Sequence, residues 1–171
     1  MKYYKATRPN GTDFYTGSID YAAACGTGEV LRHPSRKRRD EPSTYISTSI
    51  AEADCTGFRW PGRLFRVEPV GRPMTATDLP NKRAVSALRV IEELPAHGLF
   101  GPQGEEVVAL IERWKRMTPD EAQRLDVARA VARAAAGAAA GDAAWGLVVR
   151  DLIAAEHFEM LYGPWGEVME S

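Results

Sequence analysis

Apolar and polar positions alternate in short runs through the first part of the chain, then give way to helical spacing. Tyr3 to Thr7 reads as a short strand, and Pro9-Asn10-Gly11 as the turn after it. Asp13 to Gly17 suits a second short strand or a turn. Ser18 or Asp20 can cap a short helix over Tyr21 to Ala24, ended by Gly26 or Gly28. Glu29 to His33 is strand-like as far as Pro34. The stretch from Ser43 to Gly71 is the centre of the pattern. Thr44 to Ser49 alternates as a strand does, Ala51 to Asp54 suits one helical turn, and Arg63 to Val67 predicts a central strand stopped by Pro69 and Gly71. Pro73, Pro80 and Asn81 predict a loop from Arg72 to Lys82. Leu88 to Leu94 is the last strand, closed by Pro95.

Beyond that point the period changes. Gly98 to Gly104 reads as a linker, and Glu105 to Met117 carries Val107, Val108, Leu110, Ile111 and Trp114 near helical spacing. Thr118-Pro119-Asp120-Glu121 is a helix start: Thr as N-cap, Pro in the first turn, Glu three residues on as the capping box requires. That helix should run into an Ala-rich tract in which Arg129, Arg133, Gly137, Gly141 and Trp145 recur every four residues. Positions so spaced form a slowly drifting stripe that lets another backbone approach. Gly137 and Gly141 each cost a helix about 1 kcal/mol against Ala, so the tract can kink or break there. Leu147 to Ile153 predicts a further apolar helical segment. Phe158, Leu161, Tyr162 and Trp165 should dock the tail, with Gly163-Pro164 as a turn. The pattern is α+β: a β-rich domain over 1–95 and a helical C-terminal region over 96–171.

Composition narrows the function classes. The chain has 171 residues, 44% hydrophobic and 26% charged, with a formal net charge of -1, ordinary for a globular protein and without a global pull toward nucleic acid or acidic membranes. Cys25 and Cys55 are too few for a disulfide framework and read as reduced thiols. His33, His97 and His157 show no metal-ligand spacing. Met1 to Lys5 lacks the apolar core of a signal peptide, and Val127 to Val149 carries Arg129, Arg133 and Asp142 in a weakly hydrophobic tract. The expectation is a cytoplasmic protein with no membrane span. Basic function must be local, and Arg36-Lys37-Arg38-Arg39 is the one basic run. It reads either as a solvated loop or as a contact to phosphates of a nucleotide or nucleic acid. No P-loop, dinucleotide glycine fingerprint, nucleophile elbow or metalloprotease helix occurs. Asp54, Glu68, Asp78, Glu92 and Glu93 are the carboxylates open to acid or base roles.

Four runs carry a resemblance. Tyr4-Lys5-Ala6-Thr7-Arg8, Tyr45-Ile46-Ser47-Thr48-Ser49-Ile50, Gly62-Arg63-Leu64-Phe65-Arg66-Val67-Glu68-Pro69-Val70-Gly71 and Leu88 to Leu94 together resemble the rifampin ADP-ribosyltransferase family. The resemblance covers about residues 3 to 95 and is most specific in the Gly-Arg to Pro-Val-Gly run. It implies a split β-sheet whose first and middle strands pinch a dinucleotide, with NAD as cofactor. It implies that Tyr45 positions or stacks on NAD, that Lys5, Thr7 and Arg8 line the nicotinamide end of the first strand, and that Ser47 to Ser49 orients that strand. Lys5 and Ala6 stand where the family has His and Gly, and Asp78 is the nearest match to the family's acid, a few positions late. Asp78 would face the oxocarbenium ion that forms as nicotinamide leaves. The region from Val148 to Trp165, with the Ala-rich helix before it, resembles uncharacterised actinobacterial and actinophage proteins.

Three functions follow. The first is an NAD-binding ADP-ribosyltransferase-like domain, with Asp78 and Tyr45 as catalytic residues. The second is a non-catalytic interaction protein of phage or bacterium on the same fold, engaging a protein partner or itself through the Ala-rich helix. The third is a nucleic-acid accessory protein using Arg36, Lys37, Arg38 and Arg39.

Overall fold

The computed structural model describes every residue except 36–41, 56–58, 77–78, 133–135, 153 and 170–171. The chain divides into two compact units, Met1–Leu99 and Phe100–Ser171. The α+β organisation predicted from the pattern is present: a seven-stranded antiparallel sheet, then a C-terminal run of helices.

Unit 1 is built from β1 (Tyr3–Thr7), α1 (Tyr21–Ala24), β2 (Val30–Arg32), β3 (Ile46–Ser49), β4 (Arg63–Pro69), β5 (Met74–Ala76), β6 (Leu79–Val85) and β7 (Ala87–Leu94). The strand order is β2-β7-β4-β1-β3-β6-β5. β1 therefore lies in the middle of the sheet, against β4 and β3. Alternation along β4 sends Phe65 and Val67 to one face, with Ile19, Tyr21, Ile46, Val85, Leu88 and Val90. Leu64 goes to the other face, with Ala6, Cys55 and Leu99. Both faces are covered, and Phe65 and Leu64 are fully enclosed, each burial contributing about 2 kcal/mol. Asp20 caps α1 by accepting from the Ala23 N–H at 2.9 Å.

The stretch Arg72 to Lys82, predicted as a loop, instead holds β5 and the first part of β6, an antiparallel pair at the sheet edge. Pro80 accounts for the difference. It sits where the β5–β6 register shifts, between the pairs Thr75↔Arg83 and Ala76↔Leu79, and beyond the last β3 partner, Lys82. A proline costs no ladder hydrogen bond at such a bulge. Ala51 to Asp54 forms hydrogen-bonded turns rather than helix, with Asp54 N–H donating to the Ala51 carbonyl at 3.3 Å.

Unit 2 comprises α2 (Gly104–Lys115), α3 (Pro119–Ala132), α4 (Ala136–Val149) and α5 (Ala155–Met169). The capping box at Thr118 is complete in both directions. Glu121 N–H donates to Thr118 Oγ1 at 3.2 Å, and Thr118 N–H donates to Glu121 Oε2 at 2.7 Å. Arg113 pairs with the same carboxylate, and these donors hold Glu121 down to about 2. The core gathers Val107, Leu110, Leu125, Ala143, Leu147 and Trp165.

Three helical expectations are corrected. α4 runs unbroken through Gly137 and Gly141. The close backbone approach is at Gly146, where a Cβ would come within 3.1 Å of Leu161, whereas Gly141 faces open space and Trp145 is 63% exposed. The apolar side of α4 is thus one residue out of step with the four-residue stripe. Gly163-Pro164 is not a turn but lies inside α5. Burying Trp165 and stacking Phe158 on Tyr162, centroids 5.2 Å apart, outweighs the proline's missing N–H.

Candidate functional site

The sheet parts at one seam. β1 pairs with β4 along its whole length, from Tyr3↔Val67 to Thr7↔Arg63, and β3 pairs with β6 from Ile46↔Val85 to Ser49↔Lys82. β1 and β3 share one register pair, Tyr4↔Ser49. No other register pair joins these two strands among the described residues.

The loop after β1 covers this seam. Gly11 adopts φ 85°, a left-handed conformation, and a Cβ there would meet Ala22 Cβ at 2.3 Å, so a glycine is needed on both counts. Asp13 then pins the loop from inside. Its carboxylate accepts from Thr16 N–H at 2.6 Å, Ile19 N–H at 3.1 Å and Thr16 Oγ1 at 2.9 Å. Burial alone would raise the Asp13 pKa; the donors prevail and hold it at about 2. Arg8 braces the same loop by donating to the Phe14 carbonyl at 2.9 Å. Phe14 and Tyr15 are thereby held over the seam.

A cavity of about 140 Å³ opens there, lined by Tyr4, Lys5, Asp13, Ser47, Ser49, Cys55 and Lys82 among others. Lys5 Nζ donates to the Ser47 carbonyl at 3.0 Å and lies 5.7 Å from the centre of the Tyr21 ring. Lys82 is 8% exposed, and its Nζ donates to Ser49 Oγ at 2.8 Å, which in turn donates to the Asp54 carbonyl at 3.0 Å. Burial pushes Lys5 down to about 8, Lys82 adding to the effect while Asp13 and Cys55 oppose it. Burial lowers Lys82 as well and raises the Cys55 thiol. A second, wider cavity of about 990 Å³ shares Phe14 and Tyr15 with the first and adds Arg8, Asn10, Arg59 and Trp60. One small cationic chamber thus shares a wall with a larger aromatic and arginine-lined one.

The residues singled out from the sequence fall in different places. Lys5 and Ser47 meet in the smaller cavity, and Arg8 lines the larger. Thr7 is fully buried, its hydroxyl donating to the Arg8 carbonyl at 3.1 Å. Tyr45 is half-buried and lines neither cavity. Asp78, Arg36, Lys37, Arg38 and Arg39 lie outside the described residues. Sequence reasoning missed Lys82, Cys55, Asp13, Phe14, Tyr15, Arg59 and Trp60. Lys82 becomes legible once β6 is recognised as a strand in register with Ser49. Asp13 carried a signal in the Asp-x-x-Thr spacing that suits a side-chain-closed turn.

No protein-family model, no curated protein and no solved structure matches this chain. Among the described residues no cluster of His, Cys, Asp and Glu could hold a metal ion, and no helix is long and apolar enough to cross a membrane.

Proposed function

We propose that unit 1 is an ADP-ribosyltransferase-like domain that binds NAD across the β1–β3 seam. The observation that carries this reading is the thin joint between β1 and β3, a single register pair at Tyr4↔Ser49, with a cationic chamber next to it and an aromatic, arginine-lined cavity beside that. The arginines of the larger cavity suit the anionic pyrophosphate of NAD. The smaller cavity falls below the roughly 300–1,000 Å³ of sites for drug-sized ligands, so it takes one end of the dinucleotide, and the larger takes the rest. Arg8 and Arg59 supply positive charge for the pyrophosphate, and Tyr15, 77% exposed, offers a ring to a base. Bound NAD would supply a glycosidic bond whose cleavage releases nicotinamide and leaves an electrophilic ribose carbon. The chain's part is to orient that ribose and keep water from it.

A second reading, a module on the same fold that binds NAD without transferring its ADP-ribose, draws on Thr7 being sealed in the core and Tyr45 lying away from both cavities. One experiment separates the two. NAD is titrated into the protein, and both the unfolding midpoint and released nicotinamide are followed. A ligand that binds the native state at about 100 Kd stabilises by about 2.7 kcal/mol. A raised midpoint with nicotinamide release supports transfer chemistry; a raised midpoint without release supports the binding module. An unchanged midpoint at millimolar NAD refutes both NAD readings. Arg8→Ala is avoided as a probe because Arg8 also braces the loop; Arg59→Ala is the cleaner variant.

A further inference from the structure

The chamber at the seam, proposed above to take one end of the dinucleotide, also holds two amines whose nucleophilic chemistry ADP-ribosyl transfer does not require. Lys5 and Lys82 enter it from β1 and β6, on opposite sides of β3. Each ammonium has three N–H donors. Lys5 spends one on the Ser47 carbonyl and Lys82 one on Ser49 Oγ. Among the described residues neither amine has an ion-pair partner. Asp13 shares the chamber, but its carboxylate is taken up by Thr16 and Ile19. The other titratable groups around Lys5 are Cys55, Tyr4, Tyr15 and Tyr21.

A lysine becomes a nucleophile when it is desolvated or set beside another cation, because both favour the neutral amine. Lys5 meets both conditions, and it forms part of the wall of the cavity, which is the route by which a small molecule would come to it. The chamber's size limits that molecule to a few heavy atoms. The unspent donors of Lys82 call for an anionic group on it, and pairing with that anion restores the ammonium that burial disfavours.

We propose that Lys5 is a nucleophilic amine that forms a Schiff base with a small aldehyde or ketone acid, whose carboxylate pairs with Lys82. Lys5 first releases one ammonium proton to solvent. Its nitrogen lone pair then attacks the carbonyl carbon, and the C=O π pair moves to oxygen. The two remaining N–H protons leave with that oxygen as water, and a C=N bond remains. No oxidant or metal takes part. The proposal does not rest on NAD binding: a cleft indifferent to NAD still forms the imine.

The test uses the whole protein with glyoxylate, and separately pyruvate, in the presence of cyanoborohydride, followed by peptide mapping. Lys2, Lys5, Lys37, Lys82 and Lys115 are the chain's lysines, so the map is simple to read. Lys5 should carry the adduct ahead of the other four. Its labelling rate should rise with a midpoint near pH 8 rather than the ordinary 10.5. Acetaldehyde, which lacks a carboxylate, should label Lys5 about tenfold more slowly than glyoxylate, about 1.4 kcal/mol. Lys82→Met should erase that difference, and Lys5→Arg should remove the adduct. Even labelling of all lysines in the unmodified protein, or a Lys5 midpoint near 10.5, overturns the nucleophile. Equal rates with acetaldehyde and glyoxylate overturn the role of Lys82. The first two readouts need no variant, so a variant that fails to fold does not blunt the test.

Discussion

Asp13 offers the sharpest check on how the site is held together. In Asp13→Ala the backbone N–H groups of Thr16 and Ile19 lose their acceptor. Ile19 is buried at 9% exposure, so water does not readily replace the carboxylate at its N–H. An unsatisfied buried donor costs about 1–3 kcal/mol, and hydrogen bonds to a charged acceptor contribute about 1.5–3 kcal/mol each. Thr16 N–H and Oγ1 sit nearer solvent and recover most of their share from water. The expected loss is therefore about 2–3 kcal/mol, read by urea unfolding at pH 7 as a lower midpoint with an unchanged slope. The pH dependence follows from the same bonds. Asp13 is depressed from an ordinary 3.8 to about 2, so its contribution is complete above pH 3.8 and is lost as pH falls toward 2. Asp13→Ala should flatten that acid limb. Asp13→Asn keeps one carbonyl acceptor and should lose about half as much. A loss below about 0.5 kcal/mol for Asp13→Ala, within the range of ordinary surface changes, would refute the claim that this carboxylate pins the loop.

Other expectations follow from single residues. Gly11→Ala should cost about 3 kcal/mol in chemical unfolding, since it combines a left-handed φ with a Cβ 2.3 Å from Ala22 Cβ. Thr118→Ala removes one half of the capping box and should cost about 1 kcal/mol, with the circular-dichroism loss confined to helix. Lys5 is lowered from 10.5 to about 8, so the unfolded chain binds more protons between those values and stability should rise as pH increases across them. Lys5→Met should reduce that alkaline rise, leaving the share due to Lys82, and stabilise the protein at pH 7 by about 1 kcal/mol.

Much of the fold was written in local chemistry. The alternation of Arg63 to Val67, the Asp20 cap and the Thr118 box are short-range devices, and each forms where the pattern puts it. What the pattern missed depended on partners distant in sequence. Pro80 reads as a breaker until the register shift against β5 is known. Gly163-Pro164 reads as a turn until Trp165 is seen in the core. The site divides in the same way. Lys5 and Ser47 were singled out from β1 and β3 by resemblance, and they do meet. Lys82 and Cys55 join them only through the pairing of β3 with β6 and the turns after β3, and nothing local in either residue marks it.

The central place of β1 also shapes the order of assembly. Tyr3 pairs with Val67, and Tyr4 with Ser49, so this strand leaves the ribosome well ahead of both neighbours. Sheets closed by such distant pairs fold slowly, because the loop entropy must be overcome before any pairing compensates for it. Until residues 63–69 are synthesised, Tyr3 to Thr7 has only the single pair with Ser49 to hold it. A nascent chain stalled short of β4 leaves the β4 edge of this central strand unpaired, and unpaired strand edges are a general route to aggregation.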